Sequence, residues 1–268
     1  MKTDRHVDIM GIVNLTDDSY FAQSRCGSVD AVLRRTHQMV IDGADIIDVG
    51  ACSSRPGSAA VGPDGEWSRR RPALAAMRSH FPDVRISVDT YYSSVGERVH
   101  DLIGDFIVND ISAGEDDPHM LTTVARLGLE YVAMHKRGNS LTMQSMTDYE
   151  DVTEAVATYF NEFVVRADEA GIKNWILDPG FGFAKTVEQN YQLLNDLDVM
   201  ADKVSGAPRI LVGVSRKSMI YKPLDLQPDD VLPATQAVHM AALMKGADIL
   251  RVHDVKEARQ TVRLYQFL

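Results

Sequence analysis

Asn174-Trp175-Ile176-Leu177-Asp178-Pro179-Gly180-Phe181-Gly182-Phe183-Ala184-Lys185 is the stretch from which the fold can be read. Trp175 to Leu177 is a short apolar run of the kind a strand buried on both faces requires. An acid, a proline and two spaced glycines cut it off, and Pro179-Gly180 forces a turn directly after Asp178. A carboxylate is thereby fixed where a buried strand meets an open loop. Taken alone, Asp178 reads as a turn former that caps its own backbone. The arrangement recurs along the chain, and that recurrence argues for a site.

Working outward, strand-like runs lie at 7–13, 45–49, 84–88, 106–108, 131–134, 175–177, 209–212 and 249–253. Helical patterns fall between them. Ser28 caps a helix that Gly43 closes, and Val152 to Ala167 keep an i, i+3, i+4 rhythm that Gly171 ends. Further helices are expected at about 66–79, 92–102, 120–127, 187–200 and 234–245. Asp254 and Glu257 stand at capping-box spacing before the last one. Gly43-Ala44-Asp45-Ile46 and Gly246-Ala247-Asp248-Ile249 are identical joints from helix to strand. These joints are short, whereas most strand-to-helix loops are long. Eight strand–helix repeats with that asymmetry predict a (β/α)8 TIM barrel, α/β in class, spanning residues 1–268 as one domain with its site at the C-terminal strand ends. A doubly wound open sheet is the competitor. Against it, Gly180-x-Gly182 lacks the third glycine of a dinucleotide loop, and no Gly-Lys-Ser/Thr phosphate loop occurs.

The chain has 268 residues, 45% hydrophobic and 25% charged, with a net charge of −10. An acidic balance without a broad basic face argues against nucleic-acid binding. Arg69-Arg70-Arg71 is the only basic run and reads as a solvated helix face. No apolar run approaches the roughly 20 residues of a membrane span, and Met1 to His6 lacks the apolar core of a signal peptide, so no membrane role is expected. Cys26 and Cys52 belong to no paired or metal-binding pattern and read as free thiols of a reducing cytoplasm.

Asn14, Asp89, Asn109, His135, Asp178, Lys217, Arg251 and His253 stand at strand ends, and in a barrel they converge on one mouth. Any one of them is explained as a turn former or a satisfied polar residue; a purely structural barrel needs none of the set. Asp89, Asn109 and Asp178 supply acceptors and an amide, suited to a flat heterocycle with several N–H donors. Lys217 adds a donor. Arg251 and His253 share a face of their strand, next to the N-terminus of the last helix, and form a corner suited to phosphate. Asn14 offers a carbonyl oxygen to Mg²⁺, which is usually held by few protein ligands plus substrate phosphates.

These residues resemble the dihydropteroate synthase family over nearly the whole chain. The matching motifs are Ile9 to Thr16 with Asp18-Ser19, Gly43 to Asp48 leading to Ser53-Ser54-Arg55-Pro56-Gly57, Ile86 to Thr90, Val108 to Ile111 and Met134-His135. Asp178 to Lys185, Gly213-x-Ser215-Arg216-Lys217 and Arg251-Val252-His253 complete the ordered set. The resemblance implies that Asp89, Asn109, Asp178 and Lys217 bind a dihydropterin pyrophosphate. It implies that Asn14, Arg251 and His253 hold pyrophosphate, with Asn14 on Mg²⁺. Ser54, Arg55, Phe183 and Ser215 would surround p-aminobenzoate together with Lys217. Asn14, Asp18, Lys217, Arg251 and His253 are the implied catalytic set. A folate-pathway transferase, a sulfonamide target and a homodimer are further implications. The chain departs from the family pattern at Asp17 (usually Pro), Ala22 (usually an acid), Cys52 (usually Glu), Ser54 (usually Thr) and Ala184 (usually Gly). Asp18 is the nearest replacement for the acid missing at Ala22.

Two other readings compete. A corrinoid-linked methyltransferase uses a similar pterin-binding barrel but needs neither the pyrophosphate corner nor the Ser-x-Arg-Pro loop. A pterin-binding protein without catalysis is motivated by the altered first loop. The loops from Leu15 to Gly27 and from Ala51 to Gly65 are polar and lack periodicity, as lids do.

Overall fold

The computed structural model describes residues 6–15, 28–50, 62–138 and 142–268. Eight strands, β1 (Asp8–Asn14), β2 (Ile46–Gly50), β3 (Arg85–Asp89), β4 (Ile107–Asp110), β5 (Glu130–Met134), β6 (Trp175–Asp178), β7 (Arg209–Val212) and β8 (Ile249–Val252), close in sequence order into one parallel barrel. The surrounding helices are α1 (Val29–Asp42), α2 (Pro63–His80), α3 (Ser93–Ile103), α4 (Met120–Leu127), α5 (Val152–Ala170), α6 (Val187–Asn195), α7 (Leu197–Asp202), α8 (Ser218–Tyr221), α9 (Leu232–Met244) and α10 (Val255–Tyr265). Gly43, Gly128, Gly171 and Gly246, which end helices, all take φ between +69° and +98°, the left-handed turn expected at the joints.

The chain departs from its sequence pattern in four places. The helix expected at 187–200 is two helices hinged at Asp196, whose ψ of 18° leaves the helical basin and whose carboxylate accepts a hydrogen bond from Thr153. Helix α2 begins earlier than its apolar pattern, at Pro63, where a missing N–H costs nothing. Arg70, read as part of a solvated face, is fully buried: it donates to Glu66 at 2.5 Å and to the carbonyl of Asp89 at 2.7 Å. The capping box before α10 does not form, because Asp254 gives its carboxylate to Arg216.

Inside the barrel the strand register builds layers drawn alternately from odd and even strands. Asp8, Arg85, Glu130 and Arg209 form a ring of ion pairs at the N-terminal end, with Asp8 held by Arg209 at 2.7 Å and by Arg85 at 3.1 Å. Above it, Ile46, Ile107, Ile176 and Ile249 pair sideways with that ring and with the next layer, Met10, Ser87, Val132 and Leu211. The apolar members of these two layers form a buried cluster separate from the main core between sheet and helices. A wall of branched side chains therefore seals the barrel below the mouth.

The charge ring yields a prediction. Burial alone would raise the Asp8 pKa, but the hydrogen bonds and charges of Arg209 and Arg85 outweigh it and hold the group below its ordinary value. A depressed carboxylate pKa stabilises the fold above the unfolded value and loses that contribution as pH falls through the folded one. Arg209→Gln is expected to cost about 1 kcal/mol at pH 7, since the arginine is half exposed and screened. Urea midpoints should show the gap closing as pH falls from about 4, the ordinary carboxylate value, through the lower folded value at which wild-type Asp8 takes up its proton. A gap that stays constant down to pH 3 would exclude the ion pair as its cause.

Candidate active site

The layer above Met10, Ser87, Val132 and Leu211 comes from the even strands and is polar throughout: Asp48, Asn109, Asp178 and Arg251. A barrel filled for stability places branched apolar residues at such a level. Asp48 is wholly buried, and three other strands converge on it. Arg251 donates to it from Nε at 2.8 Å and lies within 2.6 Å through Nη2, Ser87 donates from Oγ at 2.6 Å, and the Asn109 amide nitrogen stands 3.3 Å from both oxygens. Asp89, one step closer to the mouth, lies 3.7 Å from Arg251. Burial and the neighbouring Asp48 charge push its pKa to about 7, against the pull of Arg251 and Arg70.

Asp178 does both things its sequence context suggests. Its Oδ1 accepts the Gly180 N–H at 2.8 Å, which is the turn-capping role. Its Oδ2 faces the gap over Gly213, where Lys217 and Arg251 also converge: a Cβ on Gly213 would lie 3.9 Å from Oδ2, 3.9 Å from Lys217 Nζ and 3.8 Å from Arg251 Cβ. Glycine there keeps a cleft open between three functional side chains. Burial raises the Asp178 pKa, opposed chiefly by Lys217. Lys217 Nζ donates to the Phe181 carbonyl at 2.7 Å and sits 4.8 Å above the Phe183 ring. Burial lowers its pKa to about 8 even though Asp178 stabilises the charge.

A positive corner lies beside this cleft. Burial, then the charges of Arg251, Arg216, Arg35 and Lys217, lower the His253 pKa to about 3, so the imidazole is neutral and ringed by cations. The backbone N–H of His253 donates to Ser215 Oγ at 3.2 Å, and its backbone carbonyl accepts from Arg35 Nη2 at 2.7 Å. Arg216, at φ +56°, grips Asp254 through two bonds and the carbonyls of Pro228 and Asp229. That clamp fixes the start of α10 next to the corner. On the other side, Asn14 ends β1 opposite Gly50, and a Cβ on Gly50 would meet Asn14 Oδ1 at 2.9 Å.

Asn14, Asp89, Asn109, Asp178, Phe183, Ser215, Lys217, Arg251 and His253 thus stand at the C-terminal ends of the strands or in the loops that follow them. His135 is not brought to the mouth. Its ring packs edge-on against Tyr159 of α5 at 4.9 Å, outside the sheet. There it meets Lys185, whose Nζ also donates to the carbonyls of Gly180 and Phe183 at 3.0 and 3.1 Å. Burial lowers the Lys185 pKa to about 7. Lys185 is a strut under the β6 loop. Ala184, where the resembled pattern has glycine, adopts φ +50° within this loop. Asp18, Ser54 and Arg55, with Asp17, Ala22, Cys26 and Cys52 and most of the two expected lids, lie outside the described residues.

Sequence reasoning passed over Asp48, Arg35 and Arg70. For Asp48 a signal existed, since it sits between Ile46-Ile47 and Val49 in the interior of a strand-like run. A charge in such a run needs a partner, and Arg251 was available. Nothing local marks Arg35 or Arg70, because helix faces carry arginines routinely.

Residues 10–253 match the family described as pterin binding enzyme. Over 263 residues the chain is 40% identical to dihydropteroate synthase of Escherichia coli (strain K12), which covers 97% of this chain and 91% of that protein. It is 41% identical over 255 residues to folic acid synthesis protein fol1 of Pneumocystis carinii, covering 93% of this chain but only 34% of that longer protein. The crystal structure of Yersinia pestis dihydropteroate synthase with a sulfonamide drug complex superimposes with a TM-score of 0.91 at 34% identity, covering 100% of this chain and 95% of that one.

Proposed function

This chain belongs to the pterin-binding enzyme family, and from that membership and the chemistry of its barrel mouth we infer that it is a dihydropteroate synthase. It joins 6-hydroxymethyl-7,8-dihydropterin pyrophosphate to p-aminobenzoate, giving 7,8-dihydropteroate and pyrophosphate. The observation that carries the reading is the polar layer of Asp48, Asn109, Asp178 and Arg251 with a positive corner directly beside it. A corrinoid-linked methyltransferase has no use for that corner. Asp178, Asp89 and Asn109 read the pterin edge, and Lys217 contributes a donor and, with Phe183, a wall of the aminobenzoate site beside Ser215, Ser54 and Arg55. Arg251 and His253 take the pyrophosphate. Purified protein is expected to release pyrophosphate from the pterin substrate only when p-aminobenzoate is supplied; tight pterin binding without release would mark a non-catalytic binder instead.

The reading extends to Mg²⁺. Asn14 Oδ1 is an oxygen donor of the kind a hard cation takes, and it stands at the C-terminal end of β1, so the donor present suits the ion. Mg²⁺ held by Asn14 and the substrate phosphates would neutralise negative charge on the leaving group. The chain is also read as a cytoplasmic homodimer. Cys26 and Cys52, in no pairing pattern, favour the first part, and exposed Met244, Leu264, Phe267 and Leu268 on α9, on α10 and at the C-terminus favour the second. Sedimentation at micromolar concentration tests the dimer. Among the described residues no helix is long and apolar enough to cross a membrane.

The order of bond breaking follows from what the site supplies. Arg251, the corner cations and the α10 N-terminus all stabilise charge on departing pyrophosphate. Among the described residues no strong base faces the arylamine, and a neutral amine needs none to attack a cation. The C–O bond therefore breaks first, its electron pair leaving with the pyrophosphate oxygen. The amine nitrogen then forms the C–N bond and sheds its proton to solvent. Asp18 is read as the anion that helps stabilise the cation. With substrate labelled at the bridging oxygen and no p-aminobenzoate, the label is expected to scramble among the pyrophosphate oxygens. A label that stays in place, in protein active with p-aminobenzoate and with pyrophosphate free to rotate, would establish concerted displacement.

A further inference from the structure

We propose that Asp48 is a positioning residue of this reaction: from the layer beneath the mouth it sets the direction of the Asn109 amide and of the Arg251 guanidinium. It rests on the synthase reading above and assigns work to a side chain that reaches the ligands only through others.

An ionised carboxylate only accepts hydrogen bonds. Asn109 stands 3.3 Å from both Asp48 oxygens, so the atom it turns toward them is the amide nitrogen, and its carbonyl oxygen points away. Asp48 thereby decides that Asn109 presents an acceptor to the ligand. With Asp89 and Asp178 this makes a row of acceptors matched to a ligand edge rich in N–H groups. The same carboxylate takes Nε and Nη2 of Arg251, which keeps that fork on the barrel floor and leaves its outer edge to the mouth. Ser87 Oγ, 2.6 Å from Oδ1, anchors Asp48 itself. Asp48 is thus a hub on β2 that joins β3, β4 and β8. It is also wholly buried, and its groups are oriented before any ligand arrives. A site assembled in that way loses rate when its floor shifts, because displacements of an ångström cost about 100-fold.

Asp48→Asn keeps the shape and removes both the charge and the acceptor-only character, so the Asn109 amide is free to turn over. The expected result is a split in the kinetics. The KM for the pterin substrate rises and kcat falls, together lowering kcat/KM by about 100-fold, while the KM for p-aminobenzoate stays within twofold. General loosening of the barrel would move both KM values and would not be repaired by restoring charge. Asp48→Glu restores the counter-charge of Arg251 and is expected to recover part of kcat. It also carries the test if the asparagine variant does not fold, with a loss of at least about tenfold in pterin kcat/KM expected. Wild-type pterin kcat/KM in either folded variant, or equal rises in both KM values, would overturn the assignment. Wild-type protein without aminobenzoate-dependent pyrophosphate release would instead overturn the synthase reading, and the two failures are separable.

Discussion

Gly180→Ala is expected to lower stability by about 2–5 kcal/mol and to abolish measurable pterin binding in whatever protein folds. Gly180 has φ +69°, and a Cβ built on it would stand 2.0 Å from the carbonyl oxygen of His135. Left-handed backbone costs an alanine about 1 kcal/mol or more. The clash is worse, because the atom in the way belongs to the backbone of the neighbouring loop and no rotamer change removes it. His135 cannot retreat easily, since its ring is packed on Tyr159 and its N–H is bonded to the Asp178 carbonyl at 2.9 Å. The β6 loop must therefore move, and with it the Gly180 N–H that orients Asp178 and the Gly180 and Phe183 carbonyls that hold Lys185. Chemical denaturation and calorimetric titration with the pterin measure the two effects. A variant with wild-type stability would show that the loop accommodates a methyl group there, contrary to this geometry.

Asp178→Asn is expected to weaken pterin binding by about 2–4 kcal/mol, roughly 30- to 1000-fold, with little loss of stability. The two oxygens of Asp178 serve different ends. Asparagine can still accept the Gly180 N–H through its carbonyl, so the turn survives. What replaces the other oxygen is an NH₂ group, which opposes the ligand's donors and faces Lys217 without the charge that offset it. Burial already raises the Asp178 pKa and lowers that of Lys217 to about 8, so loss of the partner leaves the lysine readier to give up its proton. Calorimetry at pH 7 on the folded variant decides the point. Unchanged pterin affinity would reduce Asp178 to a turn former.

The two substitutions differ in how much of their outcome could be foreseen from the chain alone. That Asp178 ends a buried strand, and that Pro179-Gly180 turns the chain there, follow from local chemistry. That Gly180 has no room for a methyl group follows from where β5 passes, which no local pattern discloses. The capping box before α10 makes the same point in reverse. Asp254 and Glu257 have the right spacing, yet Arg216, 38 residues earlier, offers Asp254 two charged donors and takes it away.

By itself, the sequence determined the eight alternating units, the glycine joints between them, the end of the barrel that carries polar residues, and most of the residues gathered there. These are properties of neighbours in the chain: apolar periodicity, turn chemistry and the two-residue alternation of strands. The tertiary structure alone decided which of those residues meet. It turned His135 outward onto α5, buried Arg70 beneath Asp89, and made Asp48 the hub of the floor. The reason is physical. A buried charge is tolerated only where a partner stands within hydrogen-bond reach. For Asp48 that partner is Arg251, 203 residues away and 2.8 Å distant, placed there by the closure of the barrel and by the register of strands that do not touch one another.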